Sequence, residues 1–204
     1  MDLKHTISSH GEKDVSLGWK KGVRVLGVAE SFEKSDKKSF MVGIVMRGDF
    51  QIDGFGVCNP TIGGKDSTNE LLALFSRMKR KDIRAWMLGG NVVSWFNIID
   101  IVELNKETGL PVICISYHPS DGIEKYLKEY FPDDWEVRNE ILKASGERIS
   151  FQLGTEHTLF LSAKGIGLSR AKRLVDQFTV DGRVPEPIRV ARTIAAGLKR
   201  DLRV

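Results

Sequence analysis

The stretch RAWMLGGNVVSWFNIID, residues 84–100, reads as an apolar strand that runs into Gly89 and Gly90 and restarts as a helix from about Ser94. A corner at the end of a central strand is a usual place for a metal-binding carboxylate, but glycine has no side chain to offer a hard cation. Other reactive side chains are scattered. His5, His10, His118 and His157 have no metal-ligand spacing to one another. His118 is of most interest, because it follows a strand expected to run parallel to its neighbours and to end on the same side of the sheet. Cys58 and Cys114 form no CxxC pair and read as buried thiols in a reducing compartment. Neither a Ser-His-Asp nor a Cys-His arrangement can be argued from the spacing.

Two glycine-rich stretches invite a phosphate. In PTIGGKDST, residues 60–68, Asp66 follows Lys65 where a phosphate loop needs Ser or Thr, and Asn59 stands at the first glycine position. The segment reads as a turn into a helix. In AKGIGLSRAKRLV, residues 163–175, a Gly-apolar-Gly turn could aim backbone N–H groups at DNA if helices flanked it on both sides. The preceding TLFLSA is strand-like, so an ordinary strand-to-helix turn is expected, with Arg170, Lys172 and Arg173 able to touch a nucleic-acid backbone.

The elements that must position these residues follow from periodicity. Residues 23–29 and two runs within 39–57 predict three consecutive antiparallel strands, the last two a hairpin. A helix starts near Ser67, where Ser67 and Glu70 fit a capping box and Leu71, Leu74, Phe75 and Met78 share a face. The strand 83–88 follows, then a helix from about Ser94 with Phe96, Ile99 and Val102 inward and Gly109 as its C-terminal cap. Residues 111–117 are apolar without interruption, as in a parallel strand buried on both faces. Two short helices across 121–144, strands at 148–153 and 158–162, and helices at 168–178 and 185–200 complete the chain. In the last helix Pro187 suits the first turn, with Ile188, Ala191, Ala195 and Leu198 as a buried stripe. The expected fold is α/β: a ribonuclease H-like mixed sheet, three antiparallel strands then parallel strands, with helices on both faces.

With 204 residues, 41% of them hydrophobic, one domain spanning 1–204 is expected, preceded by a mobile polar segment over 1–20. No stretch reaches the roughly 18 to 20 apolar residues of a membrane span, and the N-terminus has no leader pattern, which reads as a cytoplasmic protein. The formal charge of +4 leans toward an anionic partner such as DNA.

The pieces RVLGVAESF, MVGIVMRG, DGFGV, WFNIIDIVELNKETGLPVICI and VPEPIRVARTIA, in this order over about residues 20–200, resemble an archaeal family associated with endonuclease dU, a relative of endonuclease V. The resemblance implies a ribonuclease H-like core and, for active members, cleavage of deoxyuridine-containing DNA with Mg²⁺ or Mn²⁺ held by carboxylates at the tips of two central strands. Members typically show GVDD after the first strand and LDG after the fourth. This chain reads GVAE and LGG, so Ala29 and Gly89 stand where acids are implied. The acids left as candidates are Glu30, if its longer stem folds back, Asp66 at the helix start and Asp53 on the third strand, and His118 joins them as a candidate because its strand is expected to end on the catalytic side of the sheet.

Two main readings follow, and a weaker third. One is a deoxyuridine-directed, metal-dependent endonuclease. The other is a catalytically impaired descendant, without a cofactor, that keeps the fold and binds nucleic acid or another partner. A third would use the vacated cleft for a small molecule or a protein, with Trp86 or Trp95 exposed.

Overall fold

The computed structural model describes residues 19–119 and 122–202, so nearly all of the lead-in expected over 1–20 lies outside the described residues. Strands β1 (Arg24–Ser31), β2 (Phe40–Arg47) and β3 (Ile52–Cys58) form an antiparallel meander. Helix α1 (Ser67–Met78) crosses to β4 (Ile83–Leu88), and a small hairpin, β5 (Val92–Val93) and β6 (Asn97–Ile98), leads to α2 (Ile101–Thr108) and β7 (Val112–Ser116). Helices α3 (Ile123–Tyr130) and α4 (Trp135–Ala144), strands β8 (Ile149–Gln152) and β9 (Thr158–Lys164), and helices α5 (Leu168–Gln177) and α6 (Glu186–Leu202) follow.

The main sheet has the order β3-β2-β1-β4-β7-β9-β8. Strands β1, β4 and β7 are parallel, and every other pairing is antiparallel. The C-terminal tips of β1, β4 and β7 therefore open at one end of the sheet, the place where α/β proteins gather functional groups. Alternation sorts β1 onto two cores. Val25 and Ala29 join the face covered by Ala171 and Leu174 of α5 and by Ile188, Ala191 and Ala195 of α6. Leu26 and Val28 join the face covered by Leu71 and Leu74 of α1 and by Ile101 and Leu104 of α2. Gly27 is the gap through which α6 reaches β1: a β-carbon there would lie 2.4 Å from Cβ of Pro187. The mixed sheet with helices on both faces matches the sequence pattern, as do the Gly109 cap, in left-handed geometry at φ 66°, and the buried stripe of α6.

Three local expectations are corrected. No helix starts at Ser94; Ser94, Trp95 and Phe96 all take left-handed backbone, with φ of 42°, 53° and 66°. The helix waits for Asp100, whose carboxylate accepts from the amides of Val102 and Glu103 at 2.8 and 3.0 Å, a real N-cap that rotates Val102 outward and Ile101 and Leu104 inward. The Ser67–Glu70 capping box does not form, because Ser67 is already helical and its amide donates to Oδ1 of Asn97 at 3.1 Å. Trp86 is fully buried, its Nε1 donating to Oγ1 of Thr108, so it offers no exposed ring.

Candidate functional site

The parallel register places Val28 opposite Leu88, and the amide of Gly89 donates to the carbonyl of Val28 at 3.0 Å. Ala29 and Gly89 are thus neighbours at the tips of β1 and β4. Both face α6: Ala29 packs in the core beneath it, and a β-carbon on Gly89 would lie 3.0 Å from Cγ2 of Ile188. One helical turn after Ile188 comes Arg192, and its Nη2 stands 3.9 Å from that same β-carbon position. Where an acid is implied, the charged side chain that α6 brings to the gap is a cation.

Glu30 follows Ala29 and so points to the other face of the sheet. Its Oε1 accepts from the amide of Ser94 at 2.7 Å and its Oε2 from the Ser94 hydroxyl at 2.6 Å, while that hydroxyl also meets Oγ of Ser39 at 2.6 Å. Burial pushes the Glu30 carboxyl above the usual carboxylate range, and the hydrogen bonds from Ser94 and Ser39 offset only part of that. The stem does not fold back toward Gly89; Glu30 holds the turn at 94–96.

Asp66 is committed in a similar way. Its carboxylate accepts from the amide and hydroxyl of Thr61, at 3.0 and 2.7 Å, and from Nδ2 of Asn97 at 2.7 Å. Burial alone would raise it, but these donors outweigh burial and hold it below the usual range. Asp53 lies elsewhere. It bonds Nε of Arg24 at 2.6 Å, within an ionic cluster that includes Arg80 and Asp82. Arg24 begins β1 and Glu30 nearly ends it, a strand length of about 20 Å.

His118 does come to the opening. It is exposed and shares with Gly89, Gly90, Tyr117 and Arg148 the lining of an open cleft of about 330 Å³. The buried Tyr117 hydroxyl finds no hydrogen-bond partner among the described residues. Burial pushes that phenol up to about 12, with Arg192 acting the other way. The guanidinium groups of Arg192 and Arg183 each lie 5.7 Å from the Tyr117 ring, and Nη1 of Arg183 donates to its carbonyl at 3.3 Å.

Of the three basic residues expected to touch nucleic acid, Arg170 lies over the Trp19 ring at 4.7 Å, Lys172 is 5.7 Å from the Phe151 ring, and the buried Nε of Arg173 has no partner among the described residues. Helix α5 follows Lys164, which pairs with Val112 at the start of β7, so Arg170 in its first turn sits toward the end of the sheet remote from Glu30. The structure does not bring this group to the strand tips.

The family model for endonuclease dU matches residues 21–199. The chain belongs to the endonuclease dU family. A UPF0215 protein of Pyrobaculum calidifontis is 32% identical over 178 residues, which cover 87% of this chain and 97% of that protein. A solved structure of an Archaeoglobus fulgidus protein of unknown function superposes with a TM-score of 0.74 at 27% identity, covering 86% of this chain and 98% of that one. The fold is ribonuclease H-like and is shared with endonuclease V of Ciona intestinalis, solved in complex with a 24mer DNA containing an inosine; the TM-score is 0.61 at 15% identity, covering 92% of this chain and 90% of that one.

The metal that the endonuclease dU family implies does not fit the residues present. Ala29 and Gly89 supply no oxygen side chain, Glu30 faces away, and the candidate carboxylates Glu30 and Asp66 already accept multiple hydrogen bonds. Among the described residues no three His, Cys, Asp or Glu side chains converge so as to hold an ion. Arg192 beside the gap would repel one.

Sequence reasoning missed Arg192, Arg183, Tyr117, Ser94 and Arg138. Arg192 had a faint signal: it lies four residues after Ile188, off the apolar stripe of the last helix. The left-handed turn at Ser94 had none, because Ser, Trp and Phe are poor residues for that geometry.

Proposed function

We propose that this chain is a nucleic-acid-binding member of the endonuclease dU family that does not hydrolyse phosphodiesters by a carboxylate-held metal. The observation that carries the reading is the charged group set against the vacated corner: Nη2 of Arg192, 3.9 Å from the β-carbon position of Gly89 and behind only the Ile188 methyl and the Val28 carbonyl. A metal at such a corner neutralises a phosphate; a guanidinium attracts the same phosphate directly, with planar donors suited to two of its oxygens. Arg183 and the exposed His118 add donors around the same opening. Binding by cations alone is sequence-tolerant and salt-dependent. It supplies no activated water, so contact with a strand does not lead to its cleavage.

The test is titration of labelled single-stranded and duplex oligonucleotides, with and without deoxyuridine, in the presence of EDTA, beside a cleavage assay over a Mg²⁺ and Mn²⁺ series at high protein concentration. Binding that survives EDTA and weakens steeply with salt, without strand scission, is the expected result. Absence of binding overturns it.

The family match favours a second reading, a metal-dependent endonuclease for deaminated DNA. Scission next to deoxyuridine that EDTA abolishes establishes that reading and removes the first.

A further inference from the structure

Five aromatic side chains meet beside Glu30. Trp95, on the left-handed turn, lies 5.6 Å from Tyr130 and 5.2 Å from Phe131 between ring centroids. Phe96 lies 6.4 Å from Tyr126 and 6.1 Å from Tyr130. This is not a sealed core: Tyr126 and Tyr130 are 39% and 40% exposed, and two of the chain's three tyrosines stand here. Cations lie over the open rings. Nζ of Lys34 is 4.3 Å from the Trp95 centroid and 5.1 Å from that of Tyr130, and Nζ of Lys125 is 4.7 Å from that of Tyr126.

The backbone that presents Trp95 is costly. Non-glycine residues take left-handed geometry only at a cost in backbone strain, and three occur in succession. Such a turn persists only when its surroundings fix it, and these do. Glu30 takes the amide and hydroxyl of Ser94, the Ser94 carbonyl accepts from the amide of Gly63 at 2.7 Å, and Nη1 of Arg138 donates to the carbonyl of Phe96 at 2.7 Å. The carboxylate retained beside Ala29 therefore anchors an aromatic turn.

We infer that the aromatic surface formed by the exposed Tyr126 and Tyr130 with the half-buried Trp95 and Phe96 is a stacking platform for unpaired bases of a single-stranded nucleic acid. The inference rests on the nucleic-acid-binding reading and narrows it to strand type. Rings with open faces stack bases whatever their identity, whereas duplex bases are already stacked on one another. The flanking lysines fit this occupant better than an apolar protein surface. Each is a compact charge on a flexible stem, so it can leave a ring face to the incoming base and move to the adjoining phosphate. Two groups then divide the polymer, one on each face of the sheet at the tips of its parallel strands: the platform beside Glu30 takes bases, and Arg192 beside Gly89 takes backbone.

The test uses the full chain with oligo(dT), oligo(U), a blunt duplex and inorganic polyphosphate as probes, and Trp95→Phe, Tyr126→Ala and Tyr130→Ala as variants. Circular dichroism checks each variant for native melting, and Tyr126→Ala is the one least able to disturb packing. Expected is quenching of tryptophan fluorescence by both single strands that disappears in Trp95→Phe. Tyr126→Ala and Tyr130→Ala should each lose about 5-fold or more in single-strand affinity, with polyphosphate and duplex binding unchanged. If the wild-type chain binds none of the probes, the nucleic-acid reading fails and takes the platform with it. If it binds single strands but the three variants bind them equally well, the platform alone is overturned. Self-association in sedimentation that Tyr126→Ala or Tyr130→Ala abolishes would also overturn it, assigning the surface to a second copy of the chain.

Discussion

Arg192 reaches across from α6 to within 3.9 Å of the β-carbon position that Gly89 lacks. An acid restored at Gly89 would meet that guanidinium before it met an ion. The contact with Ile188 at 3.0 Å requires that methyl to give by only a few tenths of an ångström, so Gly89→Asp should fold. It should show no Mn²⁺ binding by calorimetry, because its carboxylate pairs with Arg192. Binding should appear only when Ala29→Asp and Arg192→Ala are added. Equal Mn²⁺ affinity in the single and triple variants would contradict this account of the corner.

Glu30 provides a pH test with a definite sign. Its folded carboxyl is raised above 4.5 by burial, so the native state holds that proton more tightly than the unfolded chain does. The associated stability is fully present below pH 4.5 and is lost as pH rises through the raised folded value. Glu30→Gln removes this linkage and keeps an oxygen to accept from the Ser94 amide. Relative to wild type, Glu30→Gln should therefore be at its best at neutral pH and lose that advantage as pH falls toward 4.5. Denaturation midpoints of the two proteins across this range test it; a difference independent of pH would contradict the buried, raised carboxyl.

Much of the architecture was legible because it is written in periodicities. The apolar runs at 23–29 and within 39–57, the unbroken run at 111–117 and the stripe Ile188, Ala191, Ala195 each require one geometry to bury their apolar atoms. The loss at Ala29 and Gly89 was legible too, since no geometry gives those residues a ligating oxygen. What could not be read was direction. The sequence places Glu30 beside Ala29, but strand alternation sends their side chains to opposite faces, and only the packed turn shows that Ser94 is waiting for the carboxylate. The turn itself contradicts local preference, and its support comes from Gly63 and Arg138, far away in the chain.

Arg138 fixes that turn from below. It is 4% exposed, its Nε bonds Oδ1 of Asp134 at 2.7 Å, and its terminal nitrogens donate to the carbonyls of Gly63, Gly64 and Phe96. Arg138→Met would leave Asp134 half-shielded and three carbonyls without their donor, at a cost of about 3 kcal/mol or more. For a chain of this size that is a fall of roughly 6–12 °C in Tm. Arg138→Lys should recover little of it, because one ammonium cannot reach carbonyls on both sides of the fork. Differential scanning calorimetry of the two variants decides the point, and full rescue by Lys would show that charge alone, not the fork, holds the turn.

Gly27 and Gly197 make a matched pair, since one lies under α6 and the other within it. A β-carbon on Gly27 would meet Cβ, C and O of Pro187 at 2.4, 2.7 and 2.9 Å. Backbone cannot yield as a side-chain tip can, so Gly27→Ala must displace α6 from β1, at about 1–3 kcal/mol by the usual cost of overpacking. The displacement carries Ile188 and Arg192 away from Gly89, and binding of inorganic polyphosphate should weaken although Gly27 touches no ligand. A β-carbon on Gly197 meets nothing within 4 Å, and Gly197→Ala in mid-helix should add about 0.5–1 kcal/mol of stability. It should leave polyphosphate affinity unchanged. If Gly27→Ala bound polyphosphate like Gly197→Ala while melting lower, α6 would not be what sets Arg192 at the opening.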